Sequence, residues 1–166
     1  MDSYKNIKAF RAAEITLKGY SESENKRGLA WSCKVYSDNK KTGEVSNSGT
    51  GGATFSDVPI EKQKFIVEKL KANGYELTLD FLDDEGNEPD EPCEWFVDAV
   101  TQMVDEVARL RQLKRLVKTH LIVQQHSSVN EFTFYKVAPS DTSMANLERQ
   151  LGSDLICFMN AEIQSL

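Results

Sequence analysis

The stretch CEWFVDAVTQMVDEVARLRQLKRLVK, residues 93–118, sets the reading of the whole chain. Its apolar side chains fall at Phe96, Val100, Met103, Val107, Leu110 and Val117, with Trp95, Ala99, Val104, Leu113 and Leu116 widening the stripe. Steps of three and four place them on one face of a helix. Asp98, Gln102, Asp105, Arg109, Gln112 and Arg115 take the other face. The charges are also sorted along the axis: Asp98, Asp105 and Glu106 lie in the first half, and Arg109, Arg111, Lys114, Arg115 and Lys118 in the second. That order suits the helix macrodipole, by about 0.3–1 kcal/mol for charges in the terminal turns. Pro92 stands where a helix begins. The stripe predicts a core helix packed on a sheet. A seam between two copies is the alternative; fewer than four clean heptads, with Lys114 on the seam, count against it. The interspersed charges leave no apolar run near the ~18 residues a membrane span needs.

Upstream of this helix, residues 7–18 read as a first strand, with Ile15 and Leu17 alternating against polar neighbours. Leu29, Trp31, Cys33 and Val35 form the apolar face of a second strand, and a turn-rich stretch returns the chain through Glu44 and Val45 as a hairpin. Pro59 opens a helix lined by Ile60, Val67 and Leu70, with Phe65 and Ile66 beside them, and Asn73 and Gly74 stop it. Tyr75, Leu77, Leu79 and Phe81 alternate as a further strand. Downstream, residues 121–123 and 132–137 read as a hairpin. Ser140 or Asp141 caps a short helix through Met144, Leu147 and Leu151, residues 155–159 form a buried strand, and residues 161–166 a tail. The order predicts one α+β domain over residues 1–166, its mainly antiparallel sheet packed against the long helix and two shorter ones, with an acidic loop at 82–93. A chain of 166 residues, 40% hydrophobic and 28% charged, is long enough to bury a real core.

The net charge of −6 conceals an asymmetry. Residues 76–106 hold 12 acids and no Lys or Arg, which leaves 14 acids against all 20 bases elsewhere. Such a segment repels phosphates, so direct nucleic-acid binding by it is not expected, and it suits a basic partner. Asp83, Asp84, Glu85, Glu88, Asp90, Glu91, Glu94, Asp98 and Asp105 are the candidate docking acids. The loop is not an EF-hand: with Gly86 at the sixth position, Phe81 and Pro92 fall where acids are required. A loop with two prolines and hardly an apolar residue also offers no pocket to raise a catalytic carboxyl.

Asn47, Gly49, Gly51 and Gly52 form the second candidate, a backbone surface for an anion, nucleotide or peptide. Thr54 occupies the third glycine position of a dinucleotide fingerprint and no GK[ST] follows, so a bulge or wide turn is the plainer reading. Cys33, Cys93 and Cys157 are odd in number and form no CxxC, and only His120 and His126 could join them as soft ligands. No metal site, disulfide framework or cofactor is expected. Cys33 and Cys157 sit in apolar strands, and Glu91 and Glu94 oppose a thiolate at Cys93. No nucleophile–base pattern appears, so catalytic residues are none. The basic residues after Glu106 read as a solvated helix end. The first ten residues carry no secretory h-region, and reduced thiols fit a cytoplasm.

Residues 29–38 (LAWSCKVYSD) and 43–52 (GEVSNSGTGG) resemble a pattern in small phage and prophage proteins. Those begin with a strand hairpin leading into Asn-x-Gly-x-Gly-Gly. Their C-terminal halves resemble residues 113–119 followed by a hairpin, a short helix and a strand like residues 152–160. The resemblance implies a viral origin and carries over no activity and no functional residue. The sequence therefore predicts an acidic, non-enzymatic interaction protein that docks on a basic site of a host nucleic-acid-handling or defence complex and inhibits it, with a homodimer through the long helix open. The alternative is a small-ligand module using Gly49 to Gly52.

Overall fold

The computed structural model describes residues 4–166, Asn130 by its backbone alone. Residues 1–3, the start of the N-terminus read above, lie outside that range. The fold is α+β, with antiparallel sheets, one long helix and shorter ones. The chain divides into two compact units whose boundary falls between Glu106 and Val107, inside the long helix.

The first unit opens with α1 (Lys5–Ala12), where a strand was expected. Tyr4, Ile7, Phe10 and Ala13 recur every third residue and are all buried, and Ala9 and Ala12 favour a helix. The period-two pattern starts only at Ile15. There β1 (Ile15–Asn25) pairs with β2 (Gly28–Ser37), β2 with β3 (Lys40–Asn47), and β3 with the two-residue β4 (Phe55–Ser56). Asp38 and Asn39 join β2 to β3 with φ of 51° and 62°, the pair of positive values that a two-residue hairpin turn requires. Cys33 opposite Val45, and Val35, point into the core. α2 (Ile60–Ala72) buries Ile66, Val67 and Leu70 together with Gln63. Ile60, expected on its inner face, and Phe65, expected beside that face, are 58% and 52% exposed. Gly74, at φ 81°, ends the helix as expected.

No strand forms over residues 75–81. The segment runs extended and then closes in a 3-10 turn at Leu79–Phe81. α3 (Pro92–Leu116) follows, and Trp95, Phe96, Ala99, Val100 and Met103 are fully buried along its first half. Gln102, assigned to the outer face by its polarity, is 4% exposed.

The second unit, Val107–Leu166, begins with the rest of α3, where Leu110 and Leu113 are buried. Its sheet has the order β6 (Ser128–Tyr135), β5 (Leu121–Gln125), β7 (Leu155–Phe158). Leu121 and Val123 pack with Leu147 of α4 (Asp141–Leu151), flanked by Met144, Leu151, Tyr135 and Phe158. Ser140 caps α4: its Oγ accepts from the Ser143 N–H, and the Ser143 hydroxyl answers the Ser140 N–H. β7 is an edge strand, and Ile156 is 40% exposed rather than buried. The expected tail is instead α5 (Asn160–Ser165), with Met159, Ile163 and Leu166 buried at helical spacing. The buried Asn160 ties its start to β5, accepting from the Ile122 N–H and donating to the carbonyls of Val117 and His120.

Candidate functional site

The acidic segment starts from the extended residues 75–78, which side-chain amides hold in place of a neighbouring strand. Asn6 of α1 accepts from the Glu76 N–H at 3.0 Å and donates to the Glu76 carbonyl at 2.8 Å. Gln102 of α3 accepts from the Thr78 N–H at 2.7 Å and donates to the same carbonyl at 2.9 Å. Behind them the Tyr75 hydroxyl donates to Glu106 at 3.0 Å, and Asn6 and Gln102 reach the other carboxylate oxygen. Burial pushes the Glu106 carboxyl above its ordinary value; these three hydrogen bonds pull it down less than burial raises it, and Asp105 adds to the rise. Burial also drives the Tyr75 phenol far up, so it stays a donor.

Leu79 stands at the outer end of this segment, 83% exposed. The loop beyond closes on itself through Asp83. Its carboxylate accepts from the backbone N–H groups of Glu85 (2.9 Å) and Asn87 (2.8 Å) and from the Asn87 side chain (3.1 Å), and its own N–H donates to the Asn87 carbonyl. Gly86, at φ 84°, permits the turn. Donation from Asn87, backbone first, holds the Asp83 carboxyl below the usual range. The far end is anchored by Glu88, which accepts from Lys71 at 3.0 Å and from the Trp95 indole N–H at 2.9 Å. The Lys71 ammonium also lies 4.7 Å from the Trp95 ring centroid. Burial alone would raise the Glu88 carboxyl, and the bonds from Lys71 and Trp95 reverse that to a net lowering.

Asp83 and Glu88 thus brace the loop. Asp84, Glu85, Asp90, Glu91 and Glu94 are exposed, and no cation among the described residues pairs with their carboxylates. Asp105 is exposed as well. Asp98 is half-buried, and burial followed by the charge of Glu94 raises its carboxyl. The bracing residues Asn6, Lys71, Tyr75, Gln102 and Glu106 were not read from the sequence as site residues. The signal in reach was an uncharged polar residue, Gln102, one turn beyond the buried Ala99 and beside the buried Met103.

The glycine segment is held from within. Asn47 accepts from the Gly49 N–H at 2.8 Å and donates to the Thr54 hydroxyl at 3.0 Å. Gly49 is buried with φ 67°, and a Cβ there would lie 2.5 Å from the Ala30 nitrogen and the Leu29 carbonyl carbon. The segment lies along the tip of the β1–β2 hairpin, where Asn25 donates to the Ser48 carbonyl. Gly51 and Gly52 are exposed, with open space around them. An open depression of about 280 Å³ beside Asn47 is lined by Ser21, Glu22, Ser23, Trp31 and Ser32.

Burial pushes the Cys33 thiol up to about 11, with Glu44 adding to it, so it is not poised as a nucleophile. Cys93 and Cys157 are half-buried and, like Cys33, free. His120 meets the Thr119 hydroxyl at 2.8 Å, and the His126 N–H donates to the Asp154 carbonyl. Among the described residues no three His, Cys, Asp or Glu are grouped to hold a metal ion, and no helix is long and apolar enough to cross a membrane. Comparison with family models, with curated proteins and with solved structures finds no match to this chain.

Proposed function

We propose that the protein is a non-enzymatic interaction factor that docks its acidic surface on a basic site of another macromolecule. The observation that carries this reading is the set of exposed acids Asp84, Glu85, Asp90 and Glu91, on a loop braced through Asp83 and Glu88, with Glu94 in the first turn of α3, none with a cation partner among the described residues. A braced loop presents its charges with less ordering cost on binding than a free one. Leu79, exposed at the start of the same segment, adds an apolar contact. With the resemblance to phage proteins, the partner is a basic site on a host nucleic-acid-handling or defence complex in the cytoplasm, and docking inhibits it.

The test is affinity capture from a bacterial lysate at low and high salt, with the native chain and a variant carrying Asp84→Asn, Glu85→Gln, Asp90→Asn, Glu91→Gln and Glu94→Gln. A basic partner is expected on the native chain at low salt, shed at high salt and at least tenfold depleted on the variant. Equal capture by both chains would end the acidic-docking reading.

A further inference from the structure

The last turns of α3 carry a second charged surface of opposite sign. Arg111, Lys114 and Arg115 stand at i, i+3 and i+4, with Lys118 in the turn that closes the helix. Leu110, Leu113 and Val117 are buried, Arg111, Arg115 and Lys118 are exposed, and the half-buried Lys114 borders the buried side, so the cations form one continuous face. No carboxylate among the described residues lies within ion-pair distance of them. The arrangement is unfavourable within the helix: Arg111 and Arg115 repel at i, i+4, and the positions four residues earlier, Val107, Leu110 and Arg111, supply no acid.

We propose that this face takes the acidic loop of a second copy of the same chain, in head-to-tail association. The occupant follows from charge complementarity. The loop residues Asp84, Glu85, Asp90 and Glu91, with Glu94 in the first turn of α3, are acids without a cation partner among the described residues, and the stripe offers bases without an acid partner among them. A long polyanion meets the stripe less well, because it must also approach a chain with 12 acids and no base over residues 76–106. Because loop and stripe are different surfaces, the contact is heterologous and propagates to higher oligomers unless its rotation closes a ring. It uses the same acids as the docking reading above, so self-association and partner docking exclude each other at one loop.

Sedimentation velocity at ~20 mM and ~500 mM salt tests this. At low salt the average mass is expected to rise with concentration above the 18.7 kDa of one chain and to return to it at high salt. Reversal of the stripe (Arg111→Glu, Lys114→Glu, Arg115→Glu and Lys118→Glu) and, separately, of the loop acids (Asp84→Lys, Glu85→Lys, Asp90→Lys, Glu91→Lys and Glu94→Lys) each place like charges on both surfaces, so each variant alone is expected to remain monomeric. Mixed, the two restore opposite charges at both contacts, and the larger species is expected to return. A native chain that stays monomeric at low salt, or a mixture that does not associate, overturns the proposal. So does tight binding of a labelled DNA duplex, at low salt, that Arg111→Glu with Arg115→Glu abolishes, since the stripe would then be a phosphate-binding face. The same arginine variant keeps the loop acids. Unchanged capture of a basic partner by it therefore leaves the docking reading standing whatever becomes of self-association.

Discussion

Glu106 is a carboxyl held mostly out of water by Tyr75, Asn6 and Gln102, and its titration is tied to folding. Its folded value lies above the ordinary one near 4.5, so the folded chain binds more protons than the unfolded one in the window above that value. Its contribution to stability is therefore fully present below pH ~4.5 and is lost as pH rises through the raised folded value. Glu106→Gln keeps an acceptor for the Tyr75 hydroxyl and cannot ionise. Relative to that variant, the native chain should lose stability as pH rises above ~4.5, read as a falling difference in urea midpoint. Parallel curves would show that Glu106 does not titrate in the window. Asp83 has the opposite sign: its lowered carboxyl favours the folded loop above its ordinary value and releases it as pH falls through the lowered one. Neither shift could be read beforehand, because each depends on which donors the fold brings to one carboxylate.

The extended residues 75–78 show where periodicity stops being informative about elements. Tyr75 and Leu77 do alternate inward, at 2% and 7% exposed, as the pattern requires. No strand lies beside them, because the amides of Asn6 and Gln102 satisfy the Glu76 and Thr78 backbone groups that a neighbour would take. Gln102→Ala should cost about 1–3 kcal/mol in urea unfolding, since it strands the Thr78 N–H. A loss under ~0.5 kcal/mol would mean that water replaces the amide without penalty. The long helix, both hairpins, the α2 stop at Gly74 and the α4 cap were legible because each has a local signal: a stripe, a turn or a cap. α1 and α5 were not legible because each is short: the spacing of Ile7 and Phe10 runs directly into the stronger alternation of Ile15 and Leu17, and Met159, Ile163 and Leu166 follow directly on the apolar residues of β7. The acids of the candidate site were legible as composition. The braces were not, because Asn6, Lys71 and Trp95 are far apart in the chain.

For the whole molecule, the uneven charge is the dominant physical fact. Residues 76–106 carry 12 acids, and of the ion pairs to this segment only Lys5 with Glu76 and Lys71 with Glu88 are seen among the described residues. Repulsion among the rest disfavours the compact state at low ionic strength. Raising salt from ~20 to ~200 mM shortens the Debye length from about 20 Å to about 7 Å and should raise Tm by a few degrees. A fall in Tm would mean that the ion pairs outweigh the repulsion. The test requires a concentration low enough to keep the chain monomeric.

The brace on the acidic loop also makes it optically visible. Trp95 is fully buried, with its indole N–H on the Glu88 carboxylate and the Lys71 ammonium over its ring, and Trp31 is the chain's other tryptophan. A carboxylate at the nitrogen and a cation at the face both perturb the excited indole. The emission of Trp95 therefore reports whether the loop is seated, and a ligand that lifts Glu88 away announces itself as a colour shift without any added label.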